Sequence, residues 1–232
     1  MEIKNKIGLE AEIILRDYSG KVRFPGKHGF GHDEFFLLGE FRAKPGETRN
    51  ETVGNFMDAL SEVFYRAREK KFQVDFSGLT EISPEMKADI TRKMLTKRIP
   101  ECSNIYGTDI LKLSDDVVEN GVIKTCRLSA GLHVHFSRWA YHTWMEDKTR
   151  KESWKDIITP SQMQNIITQM DKNILPRYNL GVPLKYRNPG FYEKKSYGFE
   201  YRSLPMVKDF TEIDAVLDLV DFSFSLLEKL DK

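Results

Sequence analysis

The 232-residue sequence predicts an α+β fold, a mostly antiparallel curved sheet with helices packed on one face. Three observations carry this prediction. Short β-rich runs are separated by turn residues instead of by regular crossover helices. Three segments show apolar residues at helical spacing. Several strand candidates also place two polar groups around one apolar residue, so one face is greasy and the other charged.

The first strand is expected at Ile7 to Leu15, "IGLEAEIIL", closed by the turn residues from Asp17 to Gly20. "FFLLGEFRAKPGE" predicts a second, ended by Pro45 and Gly46. From Glu51 to Lys71 the residues Val53, Phe56, Met57, Leu60, Val63, Phe64 and Ala67 recur on one helical face, with Asn50 as cap. "FQVDFSG" alternates as a strand, and Pro84 to Arg98 predicts a second helix behind Ser83. Thr125 to Ser137 reads as a strand, and Thr159 followed by Pro160 opens a third helix. Leu184 to Lys195 is basic, aromatic and punctuated by Gly and Pro, which predicts a loop or hairpin before a strand at "SYGFEYRSL". The last helix is expected from Thr211 to Leu230, where Asp209 and Glu212 have capping-box spacing. With no repeat and no low-complexity linker, residues 1–232 read as a single domain.

Thirty-six basic residues nearly cancel 35 acidic ones, so a net charge of +1 supplies no global attraction to nucleic acid or membrane. Two cysteines, Cys102 and Cys126, form no disulfide framework and fit a reducing cytoplasm. No apolar run approaches the length of a membrane span. These features predict a cytoplasmic protein without a membrane partner.

Chemistry concentrates in pairs at spacing two: Glu10/Glu12, Glu40/Arg42, His133/His135 and Glu200/Arg202. On strands each pair shares a face, and Ala11, Phe41, Val134 and Tyr201 turn to the helices. Any one pair by itself reads better as an ordinary solvated outer face. Four together put four carboxylates against two arginines and two imidazoles, an excess of negative charge that divalent cations would relieve. Glutamate oxygens with an imidazole suit magnesium or manganese, whereas the arginines suit phosphate. His-x-His lacks the further ligands that metal-dependent barrels require, and there is no Gly-rich phosphate loop and no Ser/His/Asp arrangement. Lys185, Arg187, Lys194 and Lys195, interleaved with aromatics, read as a loop closing over phosphates in preference to a single-strand nucleic-acid patch.

"GLEAEIIL", "SAGLHVHFS" and "YGFEYRSLP", in that order, resemble the strand motifs of the carboxylate-amine ligases with a glutamine synthetase-like fold, and most of all the phage-type ligases (type 2 amidoligases). The stretch "YRNPGFYEKKSYG" before the last motif is similar too. The resemblance spans Gly8 to about Pro205. It implies an ATP- and Mg2+- (or Mn2+-) dependent ligase, of a type that is phage-encoded and works in the host cytoplasm, that joins a small-molecule or peptide carboxylate to an amine through an acyl phosphate. By motif, Glu10, His133 and Glu200 would hold the metal attached to the nucleotide. Glu12 would hold a second metal, His135 would approach ATP, and Arg202 would face the acid or the transferred phosphoryl. Glu40 and Arg42 resemble the second-strand carboxylate and arginine. Acyl-phosphate chemistry also needs a nearby carboxylate to take the amine's proton, for which Asp33 or Glu34 in "FGHDEFF" is the candidate. Lys195 and Lys185 would contact the nucleotide. The chain is far shorter than glutamine synthetase, so neither ring assembly nor ammonia specificity carries over. Two other readings remain open: a non-catalytic nucleotide- or nucleic-acid-binding protein on the same sheet, and a guanidino or amine phosphotransferase.

Overall fold

The computed structural model describes residues 2–31, 38–83, 85, 88, 103–107, 118–119, 122–123, 127–146, 149–178, 180 and 187–231. The predicted helix from Pro84 to Arg98, both cysteines, and the candidate residues Asp33, Glu34 and Lys185 lie wholly or mostly outside these.

The strands are β1 (Ile3–Asp17), β2 (Val22–Arg23), β3 (Gly39–Arg42), β4 (Phe72–Asp75), β5 (Leu79–Glu81), β6 (Ser103–Asn104), β7 (Val118–Glu119), β8 (Val122–Ile123), β9 (Arg127–Ser129), β10 (Gly131–Glu146), β11 (Thr149–Asp156), β12 (Phe191–Lys195) and β13 (Gly198–Pro205). Among the described residues every strand pairing is antiparallel. The main sheet is nine-stranded and open, running β2-β1-β10-β13-β12-β6, with β3 and β4 also pairing with β1 and β11 with β10.

Among the described residues three helices pack on one face: α1 (Arg49–Glu69), α2 (Pro160–Asn173) and α3 (Ile213–Glu228). Val53, Phe56 and Leu60 of α1, Ile166, Ile167 and Met170 of α2, and Val216, Leu219 and Val220 of α3 share one core with the sheet. Ala11, Phe41, Val134 and Tyr201 all lie in that core, so the spacing-two pairs do turn their polar members to the opposite face. The α+β class and the antiparallel, one-sided layering follow the sequence. No helix among the described residues is long and apolar enough to cross a membrane.

Local chemistry sets the element ends. Thr48, not Asn50, caps α1 by accepting from the Glu51 N–H (3.2 Å). At α2, Thr159 and Gln162 close a reciprocal capping box, with Pro160 at the first turn where its missing N–H costs nothing. The box expected between Asp209 and Glu212 does not form. Residues Lys208–Thr211 wind into a 3-10 turn instead, and Glu212 caps α3 without a side-chain hydrogen bond. The largest difference is in β10, which continues past Ser137 to Glu146 and returns as β11, register-matched from Trp139↔Asp156 to Glu146↔Thr149. That hairpin is rich in lysine, arginine and glutamate, and its charge hides a ribbon held by backbone pairing.

Candidate functional site

Register assembles the site. Glu10 stands across from His133 on one side and from Arg42 on the other, and Glu12 from Glu40. His135 faces Glu200, which faces Glu193 on β12. Between β10 and β13 the register slips: Leu132 pairs with Leu204 but Val134 with Tyr201, so Arg202 and Ser203 both stand opposite His133. This bulge locally bends β13 beside the polar pairs. It also lets Ser203 Oγ accept from the Phe191 N–H (3.1 Å) while Arg202 reaches the site.

The polar side chains converge in a network of ion pairs. His133 Nδ1 lies 2.8 Å from Glu200 Oε1 and 3.3 Å from Glu10 Oε1. Arg42 Nε lies 2.6 Å from Glu10 Oε2 and its Nη2 2.9 Å from Glu40 Oε1. Arg202 Nη1 bridges Glu200 Oε1 (2.6 Å) and Glu193 Oε2 (3.1 Å). Lys195 Nζ does the same from the other side, at 3.0 Å from Glu200 Oε2 and 2.6 Å from Glu193 Oε1. His135 presents Nε2 to Glu10 Oε2 at 3.5 Å, while its Nδ1 contacts the Tyr197 hydroxyl at 2.6 Å.

Sequence reasoning expected an open polar face. At its centre the structure has a closed one: Glu10, Glu12, His133 and Glu200 are 3%, 5%, 0% and 1% exposed. Arg187 contributes to this closure. Its Nη2 pairs with Glu12 Oε2, and its Nη1 donates to the Arg202 carbonyl (2.9 Å) and lies 2.9 Å from His133 Nε2. It lies directly against Gly131, where a Cβ would overlap the guanidinium. The Gly131 N–H donates to the same Glu12 oxygen (2.8 Å). The spacing-two pattern does not reveal Arg187, Glu193 or Tyr197. Their signal was the basic, aromatic stretch before the last strand motif, which holds all three but does not indicate which side chain turns inward.

The charge balance changes accordingly. Glu10, Glu12, Glu40, Glu193 and Glu200 meet Arg42, Arg187, Arg202 and Lys195, five carboxylates against four cations. Burial, and then the charge on Glu10, push Glu40 up to about 7 despite Arg42, so near neutrality it is part-protonated and the network comes close to balance. Burial also opposes charge on Glu10 and Glu200. Hydrogen bonds from His133 and His135 overcome it at Glu10, and the charges and hydrogen bond of His133 and Arg202 overcome it at Glu200, so both stay well below the usual glutamate range. Burial and Arg202 resist a proton on His133, but Glu12, Glu200 and Glu10 raise its pKa. The guanidinium beside Nε2 leaves Nδ1 as the nitrogen that donates to Glu200.

Donor atoms of Glu10, His135 and Glu200 lie within 4.8 Å of one another, close to the span of ligands around one small divalent ion. Two carboxylate oxygens and an imidazole nitrogen suit magnesium or manganese, and these residues therefore fit such an ion. Arg42 and Lys195 hold the same carboxylates. Of the histidines, His133 is enclosed in the network, whereas His135 borders a cleft of about 700 Å³.

That cleft opens over Glu10 and His135 and is lined by Lys4, Lys6, Arg42 and Lys195 as well as Trp139 and Tyr197. Its size is that of a small-molecule site. The structure thus brings Glu10, Glu12, Glu40, Arg42, His133, His135, Lys195, Glu200 and Arg202 into one neighbourhood. Compared with models of known protein families, with curated proteins and with solved structures, the chain matches none.

Proposed function

We propose that the chain is an ATP-dependent carboxylate-amine ligase that forms an amide bond through an acyl phosphate. The observation that supports this best is the cluster of buried carboxylates, clamped by Arg42, Arg202 and Lys195, that meets a cation-lined cleft at Glu10 and His135. A structural ion-pair network has no need of a cleft, and a simple metal store has no need of arginines.

A carboxylate resists amines because its oxygen is a poor leaving group, and phosphorylation by ATP remedies this. In this reading Glu10 and Glu200, with a histidine, hold a magnesium or manganese ion, which would offset charge on the transferring phosphoryl group. Arg42 and Lys195 trade their carboxylates for phosphate oxygens. Arg202, with one edge on Glu200 and Glu193, orients the acid or the phosphoryl group by its rigid fork. Burial of the carboxylate network beneath the cleft strengthens each of these charges. The amine's proton goes to a carboxylate, for which Asp33 or Glu34, just before β3, is proposed. The acid and amine are small molecules or peptides.

The test is a screen of acids and amines for magnesium-dependent phosphate release from ATP, with mass spectrometry of products. Wild type should give ADP, phosphate and an amide only when both substrates are present. Glu200→Gln should lower the rate by roughly 100-fold or more, as expected for loss of a charge aimed at the reacting groups. Equal turnover by the two proteins sinks the proposal, and a phosphorylated product without an amide would replace it with a phosphotransferase.

A further inference from the structure

The cleft has a direction. On β1 and β10 the residues facing it stand in rows: Gly8 across from His135, then Lys6 from Ser137, then Lys4 from Trp139. Successive rows lie two residues apart, so His135 and Trp139 are separated by roughly 13 Å along the strand. At the near end are Glu10, Arg42, Lys195 and His135, and at the far end are Trp139 and Lys4. Gly8, across from His135, adds no side chain to narrow the near end, and a Cβ there would press on Pro45 and on His135 at 3.3–3.4 Å. Ala43 and Pro45 supply an apolar wall.

The two ends ask for different chemistry in one ligand. The near end, with its cations and its candidate ion site, takes a chain of phosphates. The far end takes a flat, apolar, π-rich group next to a positive charge. We infer that the cleft binds a nucleoside triphosphate lengthwise as its metal complex, with the base on Trp139, and that it discriminates weakly among bases.

Weak discrimination follows from what surrounds Trp139. Base identity is read by fixed donors and acceptors on the base edge, and a site built to hydrogen-bond such an edge rejects analogues that lack it. Among the cleft-lining residues near this end, Glu47 is engaged by Lys6 at 2.9 Å, Lys4 is a point charge 3.9 Å from Glu2, and Ser137 offers one hydroxyl. Stacking tolerates every base because each has a π-face. The inference rests on the nucleotide-dependent reading above, but on its binding step alone.

Equilibrium binding with Mg2+ present, read by calorimetry for ATP, GTP and inorganic tripolyphosphate, tests this on the intact chain. ATP and GTP should bind within about threefold of each other, and both about tenfold or more tighter than tripolyphosphate. Trp139→Leu should erase that advantage, leave tripolyphosphate affinity and the melting temperature unchanged, and be rescued by Trp139→Phe. Should Trp139→Leu unfold the chain, Trp139→Phe and the three wild-type affinities still decide. Tripolyphosphate binding as tightly as ATP, a tenfold or greater preference for one purine, no nucleotide binding, or no effect of Trp139→Leu in a folded protein would each overturn the inference. Normal nucleotide binding without substrate-dependent phosphate release would leave it standing and remove the ligase reading.

Discussion

Glu200 is almost wholly buried, yet its carboxylate is held ionised by His133, Arg202 and Lys195. Glu10 is in the same position between Arg42 and the two histidines. Both have folded-state pKa values below the unfolded value of 4.5. Groups depressed in this way contribute stability that is complete above the unfolded pKa and lost as pH falls toward the folded one. We therefore expect the melting temperature to drop on acidification below about pH 4.5, and Glu10→Gln or Glu200→Gln to flatten that drop. Glu40 has the opposite sign: its pKa is raised to about 7, so its ionisation costs stability as pH rises from about 4.5 through 7. Glu40→Gln should remove that cost, and titrating the melting temperature of both proteins from pH 5 to 8 checks it. An identical profile in the two would contradict the burial of Glu40 beside Glu10.

At the scale of elements, two devices hold the site in shape. The first is Asp171 on α2, which accepts from the Tyr201 hydroxyl (2.7 Å) and the Tyr106 hydroxyl (2.9 Å). Tyr201 lies between Glu200 and Arg202 in sequence and points to the core, so this contact fixes β13 against a helix on the far side of the sheet. Asp171→Ala leaves the buried phenol without its acceptor and should cost about 1–3 kcal/mol by chemical denaturation. The second device is the contact of Gly131 with Arg187. Any side chain at 131 must push the guanidinium off Glu12. Gly131→Ala should lower stability by more than Asp171→Ala does, because it leaves Glu12 buried without its counter-ion. A Gly131→Ala protein as stable as wild type would show that the Arg187 segment can lie elsewhere.

Across the whole molecule, the proposed cation and anion binding would be linked by charge balance. The network is close to neutral by itself, so a divalent ion alone would have to displace Arg42 and Lys195 into the cleft without a partner for them. A polyphosphate alone would meet the carboxylates. Bound together, each supplies what the other displaces. We expect Mg2+ and ATP each to raise the melting temperature little when added singly, and their mixture to raise it well beyond the sum, by the mass-action stabilisation of a ligand that binds only the folded state. An additive response would break the link.

The sequence by itself determined the one-sided sheet and the candidate polar face. Side-chain direction in a strand alternates with period two, and helical stripes repeat every three to four residues, so Ala11, Phe41, Val134 and Tyr201 were assigned to the core and their neighbours to the site from local pattern alone. The helix at Thr159 was legible for the same local reason. What no local pattern encodes is pairing between distant strands. The β10–β11 ribbon, the slip that sets Arg202 opposite His133, and the descent of Arg187 onto Glu12 are all long-range contacts, decided by backbone hydrogen bonds and by the cost of leaving charge buried without a partner. Tertiary structure therefore turned an expected open face of surplus negative charge into a closed, nearly balanced network at the end of a cleft.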